Sequence, residues 1–262
     1  MTDCLIACRL LDYFLTGSEL LQMSEAANPV PGVPEGSTND PTEHNVTLLK
    51  TEKLPDGIVY WTSVQLPIDI LLLTVKECEL LSCLSHLNPD FFNSYHNSLG
   101  YVYFGDMGED EMKLKIAVIQ CNMGSTGPKG SVVVVSKAVK ILGPKAVFCV
   151  GFCGGLNHKK VKLGDVVVSA RLITYASIKI TESGIRQRGI NVPLKTQLAD
   201  LIRSAGYGWE APLKDPGKLE VKVHRDGVFL SGPEVVDNNE RREELIQQFP
   251  EAIAIEMEGE GT

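Results

Sequence analysis

Apolar residues run almost unbroken from Ile68 to Val75, with only Asp69 and Thr74 between them, and the same texture returns over Lys115–Cys121 and Ala146–Val150. Short apolar runs of this kind predict strands buried on both faces. Between them the period changes. Lys76–Leu87 has helical spacing, and Ser131–Leu142 repeats it behind a glycine-rich turn. Further strands are predicted at Val166–Ser169, Val228–Ser231 and Ala252–Glu256, with helices at 195–205 and 239–248. Strands alternating with helices make an α/β domain whose sheet is covered on both faces. Ligands of such sheets gather at the carboxyl ends of the strands. The distinctive residues fall there: Glu79 after the first strand, Met123-Gly124 after the second, Phe152 to Gly155 after the third, then Ser231-Gly232 and Glu256 to Glu258.

Ahead of this domain the pattern differs. Leu5, Cys8, Leu11, Leu15 and Leu21 stand near helical spacing, which predicts an amphipathic helical arm within residues 1–23. Pro29, Pro31, Pro34 and Pro41 then break any helix, so 24–65 reads as a linker and lead-in, and 66–262 as the domain. No internal repeat marks a solenoid.

Composition narrows the chemistry. The 262 residues carry a net charge of −8, which argues against a nucleic-acid surface and favours a small-molecule ligand. Seven cysteines, several in apolar runs and none in CxxC spacing, suit buried thiols in a reducing cytoplasm and no zinc site. Asp3, Arg9 and Asp12 interrupt the N-terminal apolar stretch, against a signal peptide or a membrane span. No metal or cofactor motif is present. Gly124 to Ser131 follows a strand and opens a helix, but it is neither GxxxxGK[ST] nor GxGxxG, and Lys129 stands one place early for the former. Its glycines allow close backbone approach.

The order of motifs is more specific than any one of them. Val150-Gly151-Phe152-Cys153-Gly154-Gly155-Leu156 precedes Lys162-Leu163-Gly164-Asp165-Val166-Val167-Val168-Ser169. Phe229-Leu230-Ser231-Gly232 follows, and then the segment from Phe249-Pro250-Glu251 to Glu256-Met257-Glu258-Gly259. This series resembles the nucleoside phosphorylase/nucleosidase superfamily, which includes purine nucleoside and uridine phosphorylases and the methylthioadenosine/S-adenosylhomocysteine nucleosidases. The resemblance implies a three-layer α/β/α sandwich around a central mixed sheet. It also implies a homodimer or higher assembly.

The resemblance assigns roles residue by residue. Met257 would pack on the ribose face, and Glu258, beside Glu256, would accept bonds from the sugar hydroxyls, a task suited to a carboxylate. Val235 and Val236 match positions flanking the base, although an aromatic usually stands at the first. Met123, Gly124, Phe152, Cys153 and Gly154 would line the pocket with backbone. Glu79 aligns with the glutamate near the attacking water, with Glu77 as a competitor on another face of the same helix. The family's phosphorylases carry an arginine just before the glycine-rich strand end, a serine within it and a G-D-P-x-R loop. Here Cys149 and Phe152 stand at those positions and the loop is missing. That pattern favours water as the nucleophile in N-glycosidic cleavage of a purine nucleoside. Phosphorolysis, with phosphate as co-substrate, is the alternative, and an inactive nucleoside-binding or interaction module is a third reading. The family's acid, an aspartate in an S-D segment beyond E-M-E, has no counterpart before Thr262, so the last strand and helix are expected to be missing.

Overall fold

The computed structural model describes residues 3–6, 48–109, 113–194, 211, 213, 217 and 219–261. Its strands are β1 (Asp3–Ile6), β2 (Ile58–Val59), β3 (Ile70–Thr74), β4 (Phe92–His96), β5 (Gly100–Met107), β6 (Leu114–Gln120), β7 (Ala146–Cys149), β8 (Gly151–Gly155), β9 (Val166–Thr174), β10 (Ile178–Thr181), β11 (Gly184–Gln187), β12 (Asn191–Pro193), β13 (Val223–Ser231) and β14 (Ala254–Glu256). The helices are α1 (Glu77–Ser85), α2 (Ser131–Leu142) and α3 (Asn239–Gln248).

The period-two geometry of strands explains the layering. In β3, which lies parallel to both β6 and β7, Leu71 and Leu73 face one side with Ala117 and Ile119 of β6. Val134, Ala138 and Leu142 of α2 cover that side. Ile70 and Leu72 face the other side with Ile116 and Val118, under Leu80, Cys83 and Leu84 of α1. A strand buried on both faces needs an apolar residue at every position, which is why its sequence shows no alternation. The α/β class and its sandwich layering thus follow directly from the buried runs.

Backbone pairing resolves the strands into two six-stranded mixed sheets, ordered β2-β4-β5-β6-β3-β7 and β1-β8-β14-β13-β9-β12, plus a separate β10-β11 hairpin. The sheets meet where β7 passes into β8 through Val150, whose N–H donates to the Leu73 carbonyl at 2.8 Å. The strand expected at Ala146–Val150 is present as Ala146–Cys149, and a further strand, β8, follows it directly. In the second sheet, β9, β13 and β14 run parallel, and Thr174, Ser231 and Glu256 stand in register at their carboxyl ends.

Several boundaries differ from expectation. Asp3–Ile6 is not the start of a helix: it pairs antiparallel with β8 and parallel with β9. Tertiary pairing outweighs weak local periodicity in so short a segment. The rest of the expected arm, and the helix expected at 195–205, lie outside the described residues. Within the expected lead-in, residues from Leu49 onward pack on the domain. Leu49 N–H donates to Ser85 Oγ at 2.7 Å, and Trp61 and Val64 join the core beneath α2.

Candidate active site

Carboxyl ends of both sheets converge on three glutamates. Glu79 opens α1 at its third position and turns back on the helix start. Its Oε2 accepts the N–H groups of Val75 at 2.7 Å and Lys76 at 2.8 Å. Lys76 is the N-cap and Val75 the residue before it, so the carboxylate closes the helix start, where negative charge is favoured. Its Oε1 accepts Phe152 N–H at 3.0 Å from the next sheet. Glu77, the competitor, is exposed and accepts a bond from Thr51 Oγ1 at 3.0 Å, so Glu79 alone of the pair turns inward.

Gly151 makes this approach possible. A Cβ there would lie 2.5 Å from Glu79 Oε1, closer than any real contact. Burial pushes the Glu79 carboxyl above its ordinary range, against the pull of the three N–H groups, and the charge of Glu258 pushes the same way.

Glu256, at the end of β14, is almost wholly buried. Its Oε2 accepts Glu258 N–H at 2.7 Å and Gly259 N–H at 2.5 Å, which fixes the turn that follows the strand. Burial raises its pKa to about 7, even though the Ser231 hydroxyl and these N–H groups favour the charged form. Glu258 is less buried, and its Oε1 accepts Gly124 N–H at 2.7 Å. Burial raises its pKa too, while the Gly124 bond and the Lys76 ammonium pull it back.

The Gly124 to Ser131 loop is closed largely on itself. Gly130, Ser131 and Val132 N–H groups are spent on the carbonyls of Gly127, Gly124 and Ser125. Gly124 has a φ of 93°, a left-handed conformation that suits glycine, and its N–H is the one that holds Glu258. Ser131 Oγ donates to the Glu258 carbonyl at 2.5 Å, and Ser125 Oγ donates to Glu260 Oε2 at 3.1 Å. The loop after one sheet thus grips the E-M-E turn of the other.

The remaining expected residues fall as follows. Met257 is half-buried, and Met123 is exposed. Phe152 contributes its N–H, while Cys153 is buried among Val161, Val167 and Phe229. Gly154 lies under Ile255, where a Cβ would come within 2.9 Å of the side chain. Val236 packs in the core with Tyr175, Leu245 and Phe249, whereas Val235 is exposed. The structure thus joins Glu79 to Phe152, and Gly124 and Glu256 to Glu258, through direct bonds, with the charge of Glu258 felt at Glu79, and it separates the two valines into different surroundings.

Cys149 and Cys121 were not expected as neighbours of the carboxylates. Burial holds the Cys149 thiol well above its ordinary value, and the charges of Glu256, Glu258 and Glu79 add to that. Cys121 is pushed up to about 12 by burial and by Glu258. Both are neutral thiols, unfit as nucleophiles. Their positions at strand ends were the available signal. Ser131, which closes onto the Glu258 carbonyl, carried only its place at the helix start. Among the described residues no group of three or more His, Cys, Asp or Glu is arranged to hold a metal ion, and no helix is long and apolar enough to cross a membrane.

Comparison with known proteins bears on the family and the fold. The family model described as the phosphorylase superfamily matches residues 85–260. A death domain-containing ATP nucleosidase of Amphimedon queenslandica is 28% identical over 88% of this chain and 46% of its own length. A 5'-methylthioadenosine/S-adenosylhomocysteine nucleosidase of Staphylococcus epidermidis is 31% identical over 44% of this chain and 47% of its own. The chain spans about half the length of these curated relatives. Among solved structures, the 5'-methylthioadenosine/S-adenosylhomocysteine nucleosidase of Neisseria meningitidis, in complex with methylthio-immucillin-A, superposes with a TM-score of 0.57 at 18% identity, covering 74% of this chain and 77% of that one. Futalosine hydrolase of Helicobacter pylori gives a TM-score of 0.55 at 21% identity, covering 74% and 76%. These two share the fold. Together with the E-M-E turn gripped by the Gly124 loop, the family match over most of the domain means that this chain belongs to the phosphorylase superfamily.

Proposed function

We propose that this protein hydrolyses the N-glycosidic bond of a purine nucleoside, with water rather than phosphate as the nucleophile. The observation that carries the reading is the concentration of carboxylates. Glu79, Glu256 and Glu258 converge, and the position that resembles the phosphorylases' arginine is the neutral Cys149. A phosphate dianion there would meet like charge and no guanidinium. A sugar cation would meet favourable charge. As the bond from C1′ to the base breaks, its electron pair leaves with the purine, and positive charge builds on the ribose. Fixed carboxylates stabilise that charge in a site shielded from bulk water.

Glu79 Oε1 has one backbone donor and a free lone pair, so it can accept a bond from a water below C1′. It takes the water's proton as the oxygen attacks. The departing base takes a proton at N7 from a solvent water, and Glu79 then returns its proton to solvent. Glu258, less buried than Glu256, accepts bonds from the ribose hydroxyls with Met257 against the sugar face, while Glu256 fixes the turn that presents them. The two curated relatives are nucleosidases, which supports the same reaction class.

Incubating the purified protein with adenosine, methylthioadenosine and inosine, with and without phosphate, tests this. Free base in phosphate-free buffer is the expected result. Base release that requires phosphate would assign phosphorolysis instead, and binding without base release would leave a nucleoside-binding module.

A further inference from the structure

The β10-β11 hairpin leaves the sheet beside the carboxylate site and is built around a repulsive pair. In its register Lys179 stands directly opposite Arg186, and Arg188 follows at the end of the second strand. Like charges directly opposite one another destabilise a strand pair, and a lone two-stranded hairpin is already marginal in water. All three cations are exposed, and none has an ion-pair partner among the described residues. Glu182, at the tip, is the single acid between Ile178 and Arg188, in a chain whose overall charge is −8. Basic charge is therefore gathered here against the trend of the molecule.

The root of the hairpin fixes where that charge stands. Gln187 Nε2 donates to the Tyr175 carbonyl at 2.9 Å, and Tyr175 N–H donates to the Ser231 carbonyl at 3.3 Å. Ile190 N–H returns to Thr174 Oγ1 at 2.6 Å. Thr174, Ser231 and Glu256 are in register, so the hairpin springs from the strand ends that also present Glu256. From this placement we infer that the hairpin binds the 5′-phosphates of the substrate, which makes a nucleoside 5′-polyphosphate the preferred substrate class. This rests on the hydrolytic reading above. A polyphosphate could not lie among three glutamates, but it could extend from the ribose away from them. Lys179 and Arg186 would then share its charge, relieving their repulsion. The net negative charge of the chain disfavours a nucleic acid or an anionic membrane as the partner of this small patch.

The test compares adenosine with ATP, using the unaltered protein and the triple variant K179Q/R186Q/R188Q. The expected result is an ATP KM at least tenfold higher in the variant, with kcat unchanged and adenosine cleavage unaffected. The ATP KM of the unaltered protein should also rise steeply between low and moderate salt, while that for adenosine stays level. Restoring positive charge with K179R/R186K/R188K should recover most of the ATP KM. An unchanged KM for ATP in the triple variant, or an equal loss with both substrates, would overturn the inference. If neither substrate yields free base, the hydrolytic reading fails. ATP binding measured by calorimetry then decides the hairpin separately, with weaker binding by the triple variant supporting it and equal binding overturning it.

Discussion

Glu79 serves two masters: its carboxylate closes the start of α1 with Oε2 and reaches across to Phe152 N–H with Oε1. Glu79→Gln can keep one oxygen for the Val75 and Lys76 N–H groups, but its amide nitrogen cannot accept from Phe152 N–H, and it cannot take the water's proton. Base release should therefore fall about 10²–10⁴-fold while nucleoside binding persists, checked by single-turnover kinetics beside equilibrium binding. Burial raises the Glu79 pKa, so, with ionised Glu79 as the proposed base, the acid limb of kcat/KM should lie above the ordinary carboxylate range. A pH profile that is flat down to pH 4.5 would contradict this. Glu256 gives a stability effect of definite sign. Its pKa of about 7 means that the folded state keeps a proton that the unfolded chain has lost above its ordinary value near 4.5. The native state should lose stability as pH rises from about 4.5 through 7. Glu256→Gln should escape that loss, so its stability relative to the unaltered protein should grow with pH, by at most about 3 kcal/mol. Denaturant titrations at pH 5 and pH 8 measure it.

Strand ends and the turns between them do most of the positioning. Gly151→Ala would place a methyl against the Glu79 carboxylate, where only 2.5 Å is available. Either the glutamate leaves its three donors or β8 shifts. Activity should drop at least tenfold, and the site should be more sensitive than the fold, as seen by comparing kcat/KM with Tm. Much of this scale was legible in the sequence. Buried parallel strands advertise themselves as unbroken apolar runs, and the glycine behind α2 marks its end with a φ of 62°. What was not legible depends on long-range pairing. Asp3–Ile6 becomes a strand only because β8 offers an edge, and the mixed polar and aromatic residues of β4 and β5 carry no clean period. The hairpin at Ile178–Gln187 shows its basic pair only once the register is known. Within the site, carboxylates could be read from motif order. Their partners could not, since Gly124 N–H meets Glu258 across 134 residues.

At the scale of the whole molecule, two mixed sheets meet at Val150 and bring their strand ends to one place. The Gly124 loop from one holds the E-M-E turn of the other, and the Glu79 carboxylate bridges to Phe152 beside the junction. Closing the site therefore depends on the two sheets staying together, which is why a motif dispersed from Glu79 to Glu258 acts as a unit. The matching family is named for phosphorylases while the curated relatives are nucleosidases, so the charges in this site decide the nucleophile. Those charges are negative, and the nearest thiols are neutral. The most direct test is to follow free base from adenosine and ATP in phosphate-free buffer, then add phosphate, and repeat with Glu79→Gln. The account predicts base release that phosphate does not accelerate and that Glu79→Gln lowers at least about a hundredfold. Release that depends on phosphate, or that Glu79→Gln leaves undiminished, would contradict it.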